Sequence, residues 1–268
     1  MVTQKIANSL LLEDNIRADI APYHSKMVED TELGHWSLWT DELESTNEQT
    51  ISLPIPMVAR DPKSSINDGV VGIDFGTKST VVVYQKDNVN IHPMRVGTGD
   101  LSTDIQAFHY ENPTIMEFRD LEAFITAYDA KANKPYTRWK DLTISHTAKN
   151  AMEGTESSQF NTFLDEIKQW AGDKNRKLKI VGQQGTIIDL PPFLELTDDD
   201  FNPIEIYAYY LGLYINNLNN GIFMDYILSF PVTYEMPIRD KIIESFEKGL
   251  KKSLPAELGS ETIAELTV

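Results

Sequence analysis

The chain has 268 residues, 41% of them apolar and 24% charged, the composition of a soluble globular protein with room for one large domain or two small ones. Its formal net charge of −17 and its lack of cysteine exclude a nucleic-acid backbone held on a basic face, disulfide staples, thiolate metal sites and cysteine nucleophiles. Residues 1–13 lack a signal-peptide layout and no run of about 18 apolar residues occurs, so the expectation is a cytoplasmic address with no membrane among its partners.

Residues 1–69 form an N-terminal extension without an assigned role. Short apolar patches at 9–12 and 36–39 stand among acids. The stretch 51–58 is broken by Pro54 and Pro56 and predicts at most an edge strand. Residues 61–69, Asp-Pro-Lys-Ser-Ser-Ile-Asn-Asp-Gly, are turn-rich and predict a boundary. Two β-branched runs follow, at 70–73 and 80–84, around a short polar bend; they predict a strand–turn–strand hairpin. Further strands are expected at 89–93 and 114–118, and Leu121, Phe124, Ile125 and Tyr128 recur at helical spacing. Phe160, Phe163, Leu164, Ile167 and Ala171 predict a helix over 157–171 that stops at Gly172. Residues 178–190 alternate as a hairpin would, with its turn at Gln183-Gln184-Gly185. Asn202, Pro203 and Glu205 form a helix start, and Ile204, Tyr207, Tyr210, Leu211, Tyr214 and Leu218 give that helix, 202–219, its inward stripe. Residues 222–230 read as a central strand of a covered sheet, ended by Pro231. Pro237 opens a last helix with Ile238, Ile242, Phe246 and Leu250 inward.

The chemistry concentrates at the hairpin bend. Gly76 is free to adopt a backbone conformation closed to other residues. Thr77, Lys78 and Ser79 supply amides, hydroxyls and one ammonium, a donor cluster suited to a phosphate. Asp74, at the end of the first strand, suits a hydrated divalent cation held against those phosphates. The order of residues is not that of a Walker A loop, because Thr77 separates the glycine from the lysine and a strand follows. His24, His35, His92, His109 and His146 lack metal-ligand spacing, no Gly-x-Ser-x-Gly elbow occurs, and Asp198-Asp199-Asp200 reads as a solvated run near a helix start.

Gly72-Ile73-Asp74-Phe75-Gly76-Thr77-Lys78-Ser79 resembles the first phosphate-binding motif of the actin-like ATPase superfamily, and within it that of the seventy-kilodalton heat-shock chaperones. Four later groups of strings follow in the family's order: 112–118, 145–149, 166–172, and 203–206 with 228–234. The resemblance implies an α/β fold over 70–268: one ribonuclease-H-like lobe, a mixed sheet covered by the helices at 202–219 and 236–252, with a smaller subdomain inserted at about 86–200. It implies ATP and magnesium as cofactors, with Gly76, Thr77, Lys78 and Ser79 on the phosphates and Asp74 on magnesium through water. It also implies a catalytic lysine at Lys168, and a proline at Pro231 that relays nucleotide state to a partner domain. Lys78 stands where the chaperones usually have Thr, and Ser79 where they have Asn or Tyr. The second phosphate loop and the adenosine-binding segment of the family's second lobe have no counterpart in the sequence, so hydrolysis is expected only with a second lobe, and a second ATPase lobe or a dimer partner is an implied partner. Client or co-chaperone proteins are the other implied partners. Two further expectations stand beside this one: a non-catalytic interaction or dimerisation module, and a sugar or acetate kinase of the same superfamily.

Overall fold

The β-branched runs on either side of Gly76 do pair. In the computed structural model, which describes residues 13–20, 35–37, 59–86, 89–97, 104–229 and 234–268, β1 (Ile66–Phe75) runs antiparallel to β2 (Ser79–Gln85) from Val70↔Gln85 to Phe75↔Thr80. Val71, Ile73 and Phe75 are buried and the residues between them are not, the alternation of a sheet packed on one face. β1 starts at Ile66, so Gly69 lies inside the strand rather than in a turn. The register shifts between Asn67 and Val70, and a Cβ on Gly69 would fall on the Gln85 carbonyl oxygen. That glycine serves close strand approach at a bulge.

β10 (Ile222–Ser229) lies parallel to β1, from Ile66↔Ile222 to Asp74↔Ser229. The sheet order is β10-β1-β2-β3, where β3 is His92–Met94, and β4 (Glu111–Pro113) pairs with the remaining part of β2. The sheet is thus mixed, and the chain is α/β. β10 ends the sheet order instead of sitting centrally. Its outer side meets the chain again at Thr267, which bridges to Asp225. Asp225, Ile227 and Ser229 are exposed, so the apolar run is a one-face strand and not a doubly buried one.

Of the strand expected at 114–118, only Met116–Phe118 (β5) forms, and it joins a second sheet of order β6-β5-β7, with β6 at Leu142–Ile144 and β7 at Phe163–Leu164; β4, just before it, stays in the main sheet. The helix expected over 157–171 does not form. A short 3-10 turn, Ser157–Thr162, leads into β7, and only Ile167–Gly172 is helical. Phe163 and Leu164 pair with Glu117 and Met116, a non-local contact that overrides the local helical spacing, and Phe160 is 49% exposed. β8 (Leu178–Val181) and β9 (Ile187–Leu190) form the expected hairpin, with Gly185 at φ 89° in its turn.

Helices α1 (Glu13–Ala18), α2 (Leu121–Asp129), α3 (Ser145–Glu153), α4 (Ile167–Gly172), α5 (Pro203–Asn219) and α6 (Met236–Ser253) complete the positions that matter for the site. Asn202 caps α5 by accepting from the Ile204 and Glu205 amides, and Asn220 ends the helix at φ 48°. The Glu205 side chain accepts from the Tyr128 hydroxyl at 3.0 Å rather than closing a reciprocal capping box. α5 is buried nearly all round, with Leu218 left out of the stripe at 52% exposure. α5 and α6 pack where both backbones approach closely: a Cβ on Gly212 would fall on the Ser253 hydroxyl, and one on Gly249 would fall on the Glu205 carbonyl oxygen. The Phe75 ring joins the sheet to both helices, 6.0 Å from Tyr207 and 5.1 Å from Phe246.

Parts of the first 69 residues belong to the same core. Ala18, Ile20 and Trp36 are buried in it, the Tyr214 hydroxyl donates to the Ala18 carbonyl, and the Trp139 amide donates to the Ile16 carbonyl at 2.8 Å. Below them lies a buried charge cluster in which Asp14 meets Arg17 at 3.2 Å, Lys134 at 3.7 Å and the His35 ring. Burial pushes the Asp14 carboxyl up, but His35, Lys134 and Arg17 together hold it well below the usual carboxylate range. Among the described residues, no helix is long and apolar enough to cross a membrane.

Candidate functional site

β1 and β10 run in parallel and end together, with Asp74 opposite Ser229 as the last pair of their register. The carboxyl ends of parallel strands are where α/β sheets place their ligands. Asp74 is exposed there, and its Oδ1 accepts from the Ser229 hydroxyl at 2.5 Å.

The bend from Gly76 to Ser79 follows directly. Gly76 does not occupy the left-handed region; among the described residues the glycines that do are Gly97, Gly185 and Gly259. Its need for glycine is steric, since a Cβ would fall on the Ser79 carbonyl oxygen. Thr114 fixes the bend from below. Its amide donates to the Lys78 carbonyl at 3.0 Å, its hydroxyl donates to the Gly76 carbonyl at 3.0 Å, and that hydroxyl also lies 2.9 Å from the Thr80 hydroxyl. Beneath Thr114, the Tyr207 hydroxyl donates to the Pro113 carbonyl at 3.4 Å, and burial pushes that phenol up to about 12. With the carbonyls tied inward, Thr77 and Lys78 stay exposed, and their amides donate to no described residue.

Lys168 reaches the same strand end from the opposite side. It is the second residue of α4, whose Ile167, Trp170 and Ala171 are buried. α4 is fixed by the Tyr234 hydroxyl, which donates to the Lys168 carbonyl at 3.0 Å, and by the Trp170 indole, which donates to the Pro191 carbonyl at 3.2 Å. The Lys168 side chain is itself only 3% exposed. Its Nζ donates to the Phe75 carbonyl and lies 5.5 Å from the Phe75 ring centre and 6.0 Å from that of Tyr234. Among the described residues, no carboxylate forms an ion pair with it. Burial lowers the proton affinity of the ammonium, and the nearby Asp74 carboxylate opposes that shift. A buried cation without an ion pair is costly and marks a candidate site.

Asp74, the bend 76–79 and Lys168 therefore meet at Phe75. Pro231 lies outside the described residues. Among the described residues, no group of three or more His, Cys, Asp or Glu is placed to hold a metal ion. A cation enclosed by protein ligands does not fit here. One carboxylate, with water and phosphate oxygens completing the shell, does fit the way magnesium is held at nucleotide sites. A cavity of about 490 Å³ lies beyond Tyr234, lined by Gly172, Asp173, Lys174, Tyr234, Glu235 and Ile238; none of residues 74–79 lines it.

The remaining sequence candidates are structural. Asp198 and Asp199 are exposed, as a solvated run would be; Asp198 pairs with Lys248 at 2.5 Å, and Asp200 accepts from the Thr197 amide at 2.7 Å and hydroxyl at 2.8 Å. His92 stacks on Tyr84, and the His146 ring meets the His109 carbonyl at 2.7 Å. Ser229 and Thr114 went unread in the sequence. Thr114 followed an Asn-Pro step, but nothing local marks it as the brace of a bend 38 residues earlier. No family model matches the chain, and no curated protein matches it.

Proposed function

We propose that this chain is the ATP-binding lobe of a heat-shock-chaperone-like ATPase, a ribonuclease-H-like lobe of the actin-like superfamily acting in the cytoplasm. The observation that carries the reading is Lys168: a buried ammonium with no described ion-pair partner, seated on the Phe75 carbonyl between Asp74 and a bend rich in unused donors.

Each residue then has a task. The amides of Thr77 and Lys78, with the hydroxyls of Thr77 and Ser79, hold the β- and γ-phosphate oxygens. Lys78 adds a flexible cation at the mouth of the bend, and Thr114 keeps the bend's carbonyls turned away from the anion. Lys168 supplies positive charge where the γ-phosphate and its attacking water meet, in a low-dielectric setting that strengthens the interaction. Asp74 holds a water of the magnesium shell; magnesium, when bound, neutralises charge on the phosphate oxygens. Phosphoryl transfer also needs in-line water placement and solvent exclusion, and in this reading a second lobe closing over the nucleotide provides both.

The test is a calorimetric titration of ATP into the intact chain, with and without magnesium. Saturable micromolar binding that strengthens with magnesium and weakens at least tenfold in Lys168→Ala is the expected result. No saturable binding at millimolar ATP overturns the reading. Transfer of the phosphate to an added sugar or acetate redirects it to a kinase of the same superfamily.

A further inference from the structure

The hydroxyl that holds Asp74 is itself part of the arrangement. We infer that Ser229 is a positioning residue at this site: by donating to one oxygen of Asp74 it fixes the carboxylate that couples a divalent cation to the nucleotide. The inference rests on the ATP-site reading above.

Three observations carry it. First, Asp74 and Ser229 are register partners at the shared end of the parallel strands β1 and β10, so their side chains emerge on the same face. Second, both are exposed, on the side of the sheet opposite the buried Val71, Ile73 and Phe75, and the Ser229 Oγ to Asp74 Oδ1 distance is 2.5 Å. The pair contributes nothing to the core, and the serine donates to a charged acceptor, the stronger kind of hydrogen bond. Third, the Lys168 Nζ donates to the carbonyl of Phe75, the residue that follows Asp74 in β1, and no described carboxylate forms an ion pair with it. A carboxylate at a strand end has two free torsions. Untethered, it is able to swing toward the nearest cation and neutralise Lys168, which removes both the cation's water anchor and the phosphate's lysine. The Ser229 hydroxyl holds it off that course and leaves Oδ2 without a described protein donor.

The experiment compares ATP affinity with and without magnesium in the intact chain for wild type, Ser229→Ala, Ser229→Thr, Asp74→Asn and the Asp74→Asn/Ser229→Ala double variant. The ratio of the two affinities is expected to fall about three- to tenfold in Ser229→Ala and to be restored in Ser229→Thr, which keeps the hydroxyl. In the Asp74→Asn background the serine change should have no further effect, because the two residues act as one unit. An unchanged ratio in Ser229→Ala, or losses that simply add in the double variant, overturns the positioning role while leaving the ATP reading intact. Wild type that binds no ATP under either condition overturns both.

Discussion

Lys168 is where a working lysine can be told from a packing one by experiment. Its ammonium is buried and its proton affinity is lowered by that burial. The unfolded chain therefore binds the proton more tightly than the folded chain between the folded value and the ordinary 10.5. In that window stability rises with pH, and below it the cost of the buried charge is present in full. Lys168→Met removes the charge while keeping the length. We expect the variant to lose this rise, to differ from wild type by no more than about 1 kcal/mol at pH 7, and to bind ATP at least tenfold more weakly. Urea unfolding between pH 7 and 10.5, together with an ATP titration, checks all three; a destabilised variant with unchanged ATP affinity makes Lys168 a structural residue. Gly76 gives the second residue-level expectation. Gly76→Ala forces a methyl onto the Ser79 carbonyl and should cost roughly 1–3 kcal/mol, with a loss of ATP binding larger than that of Thr77→Ala. Equal stability and affinity in Gly76→Ala show that the bend is not built on close approach.

At the level of elements, the α5–α6 contact sets where the sheet's cover sits. Gly249 lies against the Glu205 carbonyl and the Tyr209 amide, so Gly249→Ala drives the helices apart. The cost should be about 1–3 kcal/mol, which for a chain of this size lowers the melting temperature by roughly 2–10 °C; calorimetry reads it directly, and an unchanged melting temperature means the crossing adapts. These two helices were legible in the sequence because their signals are local: a capping Asn202, prolines at Pro203 and Pro237, and stripes of the right period. The β1–β2 hairpin was legible for the same reason. What was not legible depends on distant partners. Phe163 and Leu164 lie at helical spacing, yet they form β7 because β5 lies beside them. β10 looked like a central strand until its alternating exposure and end position appeared. The site shows the same division. Asp74 and the bend could be read from one octapeptide, but the burial of Lys168 depends on α4 packing under Phe75, and the Ser229 contact depends on a parallel register between residues 155 positions apart.

Across the whole molecule, the described parts of the first 69 residues are joined to the rest through charge as well as apolar packing. Asp14 is the carboxylate that faces Arg17, Lys134 and His35. Asp14→Asn leaves buried cations under-compensated and should cost about 3–5 kcal/mol. Because the folded carboxyl is held below the ordinary value of 3.8, its contribution is complete above that value and is lost as the pH falls below it. The variant should therefore be much less stable than wild type at pH 7 and lose less between pH 5 and 2, in urea unfolding followed by tryptophan fluorescence. A pH profile parallel to wild type removes Asp14 from that role.

The Tyr214 hydroxyl on the Ala18 carbonyl, and the Trp139 amide on the Ile16 carbonyl, also bear on how the ATPase reading is put to the test. A recombinant fragment begun at the glycine-rich octapeptide, the obvious cut for anyone guided by the motif, would uncover the flank of α5 and strip a tyrosine and a tryptophan of their hydrogen-bonded cover. Such a fragment should precipitate or swell, and its failure to bind nucleotide would report a damaged scaffold rather than a missing site.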